Sequence, residues 1–400
     1  MQYLYDRLKQ SWNWLARRRP TRLRIILAAS SIAVLAAGLT IILSCHPIWQ
    51  RRETVPPQVP TIRARLAEGR NQLHVSSAST ASWSRKGTGE MLLSGTGPWQ
   101  VKATPGGIQI GNHSIFGSAV VLREQENQFQ LGDRTYRGKL VVNRTDSGLT
   151  AINSLTVEQY LYGVVPSEMP ASWPSEALAA QAVAARTYVL DKLRRTSGDS
   201  WNLKALDLAY RGTEREDPRA IKAVQETAGV VLHYGGKVFP AYFHSTCGGH
   251  TAPADKVFDR SSIPPLAGVP CDWCRDSSYY TWSTRMDAAE LTEELSARGI
   301  QSINSLELEG RGTDGHARSV VVNGTRINAN AFRLAIGPQK LRSTNFTIQK
   351  SGNTYLFSGH GWGHGVGLCQ WGARGVAKSG TGWRGILKHY YPEATLQTAY

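Results

Sequence analysis

The sequence is poor in acidic side chains: it has 30 Asp and Glu against 46 Lys and Arg, which gives a formal net charge of +16. Such an excess of positive charge favours a polyanionic partner, such as nucleic acid, anionic lipid or an acidic cell-wall polymer. No RNP-type, zinc-finger or helix-turn-helix pattern is present, so we expect no nucleic-acid binding.

Several catalytic signatures are also absent from the sequence. It contains no serine nucleophile elbow, no P-loop and no dinucleotide-binding fingerprint. The glycine spacing in residues 359–367 resembles G-x-G-x-x-G, but it does not open a strand-turn-helix unit with an acid downstream. These absences argue against dinucleotide binding.

One apolar run predicts a membrane span. Residues Ile25 to Leu43 carry no charge, and as a helix they would be roughly 28 Å long, close to the thickness of the hydrocarbon core. Basic residues are concentrated in the preceding segment, 1–24, which predicts a cytoplasmic N terminus and a single span in the cytoplasmic membrane. A cleaved lipoprotein signal ending at Cys45 is the alternative. Both interpretations place the bulk of the chain on the extracytoplasmic side.

The exported part divides into three segments by its sequence pattern. Prolines make residues 44–60 a stiff linker. Short β-prone runs broken by turn residues predict a small all-β module over residues 61–136. Residues 137–400 contain helical segments and hairpins, so we expect the main domain here and an α+β fold for the chain.

One carboxylate stands out in the main domain. Glu168 lies between Pro166 and Pro170. Because proline fixes its own φ angle and disfavours helix in the residue before it, we expect a rigid loop that presents this acid. Ser167, beside it, is a candidate substrate-binding residue. A solvated loop acid without function is the alternative.

The segment after this loop predicts a buried central helix from about Ser175 to Leu193. It is rich in alanine, which favours helix and lets another backbone approach closely. Gln181 and Tyr188 are seven residues apart, two turns along one face, so both could project toward Glu168. A purely structural role for these two side chains is the alternative.

Glu168 has no Asp or Glu close to it in the sequence that could serve as its partner. Retaining and inverting glycosidases need two carboxyl groups across the scissile bond. One acid suffices in a lytic transglycosylase, where it protonates the glycosidic oxygen and then accepts a proton from the C6 hydroxyl of the substrate, which closes an anhydro ring. That chemistry requires a desolvated carboxyl group with a raised pKa.

A group of cysteines with one histidine predicts a structural zinc site. The expected ligands are His244, Cys247, Cys271 and Cys274. The last two have the C-x-x-C spacing that zinc knuckles use. His250 is an alternative fourth ligand. Disulfides are the other alternative, because together with Cys369 the exported cysteines are even in number.

Long motifs in the main domain resemble those of one family. They read VVPSEMPASWPSEALAAQAVAARTYVL, FHSTCGG and SGHGWGHGVGLCQWGARGVAKSG, followed by ILKHYYPEATL. In this order they resemble the stage II sporulation protein D (SpoIID/LytB) family from about Arg137 to Leu396. Two features depart from its most familiar pattern, namely Cys369, where serine is common, and the spacing of Cys271 and Cys274.

The resemblance implies an exported protein that acts on peptidoglycan glycan strands as a lytic transglycosylase, with Glu168 as the general acid and base. It also implies that His364, Gln370 and Trp371 line the cleft, where the indole would stack on a sugar ring and the amide would bond its hydroxyls. This chemistry needs no cofactor. Other members are amidase enhancers, which bind glycan and stimulate a separate cell-wall amidase, so that function and a purely wall-anchoring role stay open.

Overall fold

The structure, a computed structural model, describes residues 58–259 and 261–400. The expected cytoplasmic segment, the apolar run Ile25 to Leu43, Cys45 and most of the linker lie outside the described residues. Among the helices that are described, none is both long enough and apolar enough to cross a membrane.

The described chain begins with two β-sheets. The strands are β1 Thr61–Arg70, β2 Gln72–Ser76, β3 Ala81–Arg85, β4 Met91–Gly95, β5 Trp99–Thr104, β6 Gly107–Ile110, β7 His113–Phe116, β8 Ala119–Glu124, β9 Gln128–Leu131, β10 Arg134–Arg137, β11 Lys139–Thr145, β12 Gly148–Thr156 and β13 Leu203–Lys204. One sheet has the order β13-β1-β12-β11-β8-β3-β4, and the other has the order β10-β9-β2-β5-β6-β7. Trp83 of β3 meets Trp99 of β5 edge to face at 5.9 Å, so the two sheets form a sandwich around a shared core.

The sandwich extends beyond the segment predicted as a small all-β module. Its strands β11 and β12 pair with β8 and β1, so the predicted boundary after residue 136 lies inside the sandwich. One hydrophobic cluster runs from the sandwich into the helices that follow. The α+β class expected from the sequence is confirmed, with the sheets and helices sharing this core.

Helix α1, Val157–Glu168, follows β12 directly. Its start is fixed by a capping box, in which Thr156 Oγ1 accepts from Gln159 N and Gln159 Oε1 accepts from Thr156 N, each at 3.2 Å. These two bonds satisfy backbone donors that the first turn of a helix leaves free. The capping box therefore fixes the residue at which α1 begins.

The prediction of a loop around Glu168 is wrong, because α1 continues through Pro166 and ends at Glu168. Proline has no backbone N–H, so the bond that residue 166 would donate to the carbonyl oxygen of Tyr162 is missing from this last turn. Ser167 Oγ donates to Gly163 O at 2.7 Å across the same turn. Glu168 is thus presented by the end of a helix, followed by the extended residue Met169.

Helix α2, Ser175–Arg195, lies at the centre of the domain. The other helices are α3 Pro218–Glu226, α4 Ala254–Phe258, α5 Ala288–Leu295, α6 Ala329–Ile336, α7 Gln370–Lys378 and α8 Trp383–Tyr390. Alanines along α2 are buried, and α1, α3, α7 and α8 all contact it. This agrees with the predicted Ala-rich helix, since small side chains let neighbouring helices approach closely.

The second half of the chain adds short sheets. Its strands are β14 Val230–Tyr234, β15 Lys237–Val238, β16 Phe243–His244, β17 Thr281–Asp287, β18 Leu306–Arg311, β19 Ala317–Val322, β20 Thr325–Asn328, β21 Phe346–Ser351, β22 Thr354–His360, β23 Leu368–Cys369 and β24 Thr395–Thr398. The strands β17, β22 and β21 form one antiparallel sheet, and β18 to β20 form another. With α5 and α6 they enclose a separate core around Phe332, Phe346 and Phe357.

The pairing of β16 with β23 matters most for the site. The two strands are parallel, and His244 lies opposite Cys369. This places the segment around residue 244 against the glycine-rich segment, residues 359–367, and against the start of α7. Two distant parts of the sequence therefore meet at one place.

Candidate active site

The carboxyl group of Glu168 meets α7 across the centre of the domain. Gln370, the first residue of α7, donates from Nε2 to Glu168 Oε2 at 3.3 Å. The two residues are 202 positions apart in the sequence. The end of one helix and the start of another thus hold the acid and its hydrogen-bond partner.

Glu168 opens onto a cavity of about 300 Å³. The cavity is lined by Glu168, Tyr188, Asp207, Leu208, Tyr242, Phe243, Phe258 and His364. Its aromatic rings contact one another: Tyr242 lies 4.6 Å from Phe258 and 5.9 Å from Tyr188, measured between ring centroids. A cavity with aromatic walls and a few polar groups is the usual form of a small-molecule or sugar site.

The environment of Glu168 suits proton transfer near neutral pH. Burial raises the pKa of Glu168 from 4.5 to about 7, although the hydrogen bond from Gln370 acts in the opposite direction. Loss of hydration disfavours the charged form of a carboxyl group, whereas a donated hydrogen bond favours it. Near pH 7 this side chain can therefore exist as either an acid or a carboxylate.

The glycine-rich segment supplies His364 to the opposite wall of the cavity. Gly367 has a φ of +72°, and a Cβ at this position would overlap the carbonyl oxygen of Tyr242, so glycine is required for the close approach. His364 Nδ1 accepts a hydrogen bond from Val366 N at 3.0 Å. Burial lowers the pKa of His364 well below its ordinary value. The neutral ring of His364 therefore acts as part of the cavity wall.

The other predicted substrate-binding residues occupy different environments. Gln181 is fully buried in α2, and neither atom of its amide has a hydrogen-bond partner among the described residues. It does not line the cavity, whereas Tyr188 does. Ser167 is bonded within α1. Trp371 is partly buried and packs against Trp173, with their ring centroids 5.1 Å apart.

A second carboxylate, which the sequence analysis missed, lies in the cavity wall. Asp207 belongs to a short 3₁₀ helix, Ala205–Leu208, and its Oδ2 accepts a hydrogen bond from Lys204 N at 3.0 Å. The expectation that Glu168 has no acidic neighbour considered only residues close in sequence. The fold brings Asp207 to the same cavity, and no local motif in the sequence indicates this.

The cysteines form a buried cluster beside the site. The four residues are Cys247, Cys271, Cys274 and Cys369, and their Sγ atoms all lie within 4.8 Å of one another. The predicted set differs at one position, since Cys369 takes the place expected for His244. His244 Nδ1 instead bonds Val366 O at 3.1 Å, and His244 Nε2 has no partner among the described residues.

The two alternatives for the cysteine region can also be compared with the geometry. His250 lies outside the cluster, and its Nδ1 is bonded to Thr251 O at 2.7 Å. All four cysteines are free, and the Sγ atoms of Cys247 and Cys274 are 3.5 Å apart, well beyond the length of a disulfide bond. The structure therefore contains four separate thiols at this place.

The four thiols match the donor set of a closed tetrahedral site for a soft metal ion. Backbone N–H groups of Cys247 and Gly372 donate to Cys369 Sγ, each at 3.3 Å, and such bonds orient a sulfur ligand. The hydroxyl of Tyr390 lies 3.1 Å from Cys271 Sγ. Hydrogen bonds from the neighbouring thiols lower the pKa of Cys274 far below its ordinary value. A thiolate is therefore favoured at the centre of the cluster.

Sequence comparisons find two matched regions in the chain. Residues 145–234 match the Stage II sporulation protein (SpoIID) family, and residues 273–367 match a domain of unknown function (DUF8618). The first region includes α1, α2 and Glu168. Gln370 and Cys369 lie outside both regions.

Full-length relatives extend the similarity. The stage II sporulation protein D of Bacillus subtilis is 31% identical over 269 residues, which cover 62% of this chain and 76% of that protein. An uncharacterized protein of Brachyspira hyodysenteriae is 34% identical over 292 residues, covering 71% and 78%. The amidase enhancer of Bacillus subtilis is 27% identical over 368 residues, covering 78% of this chain and 51% of that protein. The chain therefore belongs to the stage II sporulation protein D family.

Proposed function

We propose that the protein is a peptidoglycan lytic transglycosylase in which Glu168 is the general acid and base. The observation that carries this proposal is the raised pKa of Glu168, about 7, at the edge of a cavity with aromatic walls. Family membership supports a role at the cell wall, since relatives are named for sporulation and for enhancing an amidase. The glycan strand would lie across this cavity.

The hydrogen bond to Gln370 indicates how the proton is held. The Gln370 amide N–H donates to Oε2 of Glu168, so the transferable proton is carried by Oε1. Oε1–H donates this proton to the glycosidic oxygen as the bond to C1 breaks, and the leaving sugar departs as an alcohol. The resulting carboxylate then accepts the proton of the C6 hydroxyl while that oxygen bonds to C1. The acid is regenerated and a 1,6-anhydro ring is formed.

The walls of the cavity would bind the sugar during these steps. The rings of Tyr188 and Tyr242 offer flat apolar faces for stacking, and such contacts add to the free energy of burial. The neutral ring of His364 places no positive charge beside Glu168 that would lower the pKa of the acid. The cavity thereby keeps the pKa of Glu168 raised, at about 7, while it positions the substrate.

Asp207 makes hydrolysis a specific second candidate, because two carboxylates in one cavity are what a hydrolase requires. We favour the transglycosylase because one oxygen of Asp207 is occupied by the backbone of Lys204. The two reactions give different products. Hydrolysis leaves a reducing sugar end, whereas the transglycosylase leaves an anhydro end that is lighter by one water.

The test uses residues 59–400, which form one compact unit. Incubation with peptide-free glycan strands should release anhydro-ended fragments, detected by mass spectrometry. The variant Glu168→Gln should release none, and Asp207→Asn should release the same anhydro products as the parent protein. Reducing ends that disappear in Asp207→Asn would identify a hydrolase instead.

The amidase-enhancer function is the remaining candidate, supported by the relative that carries that name. It predicts that neither the parent protein nor Glu168→Gln cleaves glycan, while both increase the rate of a purified cell-wall amidase. Stimulation that depends on added glycan would indicate that this chain acts by binding the strand.

We also propose that the four cysteines hold a structural zinc ion. The residues would be Cys247, Cys271, Cys274 and Cys369, and the ion would join their chain segments without taking part in the reaction. Metal analysis of protein purified without chelator tests this. Mass spectrometry that finds disulfide-linked peptides and no metal would contradict it.

The location at the cytoplasmic membrane is likewise a proposal, based on the uncharged run Ile25 to Leu43 and the basic residues before it. We expect residues 59–400 to face the cell wall. Protease added to intact spheroplasts should degrade this part of the chain, and its protection from protease would contradict the assignment.

A further inference from the structure

The seven-stranded sheet carries a line of positively charged side chains across its strands. Arg63 of β1 lies opposite Ser154 of β12, which in turn lies opposite Lys139 of β11. The pairing of β11 with β8 sets Lys139 beside Arg123, and Arg123 lies opposite Ser82 of β3. We call these five residues the cation row. It crosses five adjacent strands, a distance of about 19 Å at the usual strand spacing.

The cation row lies on the side of the sheet that faces away from the sandwich core. Successive residues of a strand point to opposite faces, and the strand neighbours Ile62, Leu140 and Leu122 are buried in the core. In the row itself, Arg123 is exposed and the other four residues are half-buried. Its side chains therefore project from an accessible face of the sheet.

Two members of the row bring like charges together. Lys139 and Arg123 stand on adjacent strands, about 4.8 Å apart at the backbone, and like charges in that position destabilise a sheet. Burial and the positive charge of Arg123 lower the pKa of Lys139. Within residues 58–259 and 261–400 neither side chain forms an ion pair. An arrangement that costs the fold free energy, and that no acid compensates, suits an anion from outside the chain.

The alignment of the charges, more than the missing acid, distinguishes this surface. Arg342 also has no acidic partner among the described residues, but its guanidinium lies over the rings of Tyr279 and Trp362. The cation row instead sets three positive side chains in one line. Arg63 and Lys139 are two strands apart, which is about 10 Å.

Asn202 orients the first cation of the row. Its Oδ1 accepts hydrogen bonds from Arg63 N at 3.0 Å and from Arg63 Nε at 3.5 Å. The two terminal nitrogens of Arg63 have no partner in the described part of the chain. They leave a fork of N–H donors, and this fork matches the geometry of a phosphate group.

We propose that the cation row binds a linear anionic polymer whose repeat units are joined by phosphodiesters, such as a glycerol phosphate polymer of the cell wall. A straight row fits an extended chain better than one small anion. The hydroxyls of Ser154 and Ser82 can donate to phosphate oxygens between the cations. The row contains no aromatic ring, so it lacks the stacking on which binding of single-stranded nucleic acid relies.

This surface is separate from the proposed catalytic site. No residue of the cation row lines the cavity at Glu168. The sandwich acts as a binding module that holds the protein on the polymer, whether or not the cavity cleaves glycan. The variant Glu168→Gln should therefore bind the polymer as tightly as the parent protein.

The test measures binding of the full-length chain, in nonionic detergent, to immobilised poly(glycerol phosphate) at several salt concentrations. We expect the affinity to fall as salt rises, because bound phosphates release counterions. The triple variant Arg63→Gln, Lys139→Gln and Arg123→Gln should bind at least about tenfold more weakly. The slope of log affinity against log salt should become shallower by about 2, or about 0.7 for each cation removed.

A matched control removes three cations elsewhere. Arg219, Lys222 and Arg326 are exposed, and each is paired with its own acid. Changing all three to Gln lowers the net charge by the same amount and should leave binding unchanged. If both triple variants lose affinity equally, binding follows net charge alone and the role of the row is refuted. Thermal unfolding should show the cation-row variant at least as stable as the parent, since like charges have been removed.

A second probe tests an anionic membrane as the partner. Vesicles of phosphatidylglycerol and phosphatidylcholine are mixed with residues 59–400, which form one compact unit and lack the apolar run. Vesicle binding that is tighter than polymer binding and is lost in the cation-row variant would replace the polymer with a lipid surface. A parent protein that binds neither probe would overturn the inference, even if it cleaves glycan. Polymer binding that depends on the row would support it in a protein without cleavage.

Discussion

The raised pKa of Glu168 implies that the free energy of unfolding depends on pH, which can be measured without substrate. Burial raises this pKa from 4.5 to about 7 in the folded protein. Between these two pH values the folded protein holds a proton that the unfolded chain has released. Stability therefore falls as the pH rises through this interval, and the full loss is present above pH 7.

The magnitude follows from the size of the shift. A change from 4.5 to about 7 corresponds to at most about 3 kcal/mol, which is the cost of burying the ionised carboxylate. Glutamine has nearly the same shape and carries no charge. The variant Glu168→Gln should therefore be more stable than the parent protein by about 2 to 3 kcal/mol at pH 8 and equally stable at pH 4.

Urea unfolding of residues 59–400 at several pH values between 4 and 8 measures this difference. Glu126, an exposed residue in a turn, provides the control, since Glu126→Gln should leave the stability unchanged at every pH. If Glu168→Gln gains nothing at pH 8, the carboxyl group is well hydrated. It would then be ionised at neutral pH and could not act as a general acid.

Three other changes test separate parts of the site. Gln370→Leu removes the bond that lowers the pKa of Glu168, so the decline of cleavage rate above about pH 7 should move upward by about one pH unit, which a pH–rate profile would reveal. Cys369→Ser should abolish zinc binding while His244→Ala retains it, as metal analysis would show; equal metal content in both would contradict the four-cysteine site. Arg186→Leu leaves a partly buried carboxylate without its cation and should destabilise the fold by about 3 to 5 kcal/mol in urea unfolding, with a loss below 1 kcal/mol contradicting the role of this pair.

Much of the central architecture is readable from the sequence, because it depends on local patterns. The alanines of α2 predict a helix that others can approach closely, and the structure has one from Ser175 to Arg195. The hairpin of β21 and β22 turns at Gly352, which adopts a φ of +59°. A glycine between two β-prone runs is a local signal for such a turn. Such features require only neighbouring residues, so they can be predicted without knowledge of the fold.

The sequence-based predictions are wrong where the structure depends on contacts between distant parts of the chain. The prolines around Glu168 predict a loop, yet the backbone of α1 stays helical through Pro166, where the preceding Val164 and Val165 are buried in the core. Gln181 and Tyr188 share a helical spacing, but only Tyr188 reaches the cavity. A periodic pattern states which residues share a face and does not state which surface that face meets.

Two residues that the sequence analysis missed, Cys369 in the cysteine cluster and Asp207 in the cavity, were missed for the same reason. Cys369 joins the cysteine cluster because β23 pairs with β16, and this pairing links residues more than 120 positions apart. Asp207 reaches the cavity through a short 3₁₀ helix that no periodic pattern marks. Spacing rules such as C-x-x-C identify local ligands well and give no information about the last ligand when it comes from a distant strand.

The hydrogen bond between Glu168 and Gln370 also has a consequence for when activity can begin. The two residues are separated by 202 positions, and the intervening chain includes every strand from β13 to β23. Contacts between such distant residues form late in folding, because a long loop must close before they can meet. A chain whose last segments are still missing therefore holds its acid exposed to water, with no opposing cavity wall to raise its pKa. The proposed chemistry begins only when the last part of the main domain has been made and has folded, so the proposed cleavage of glycan awaits a finished molecule.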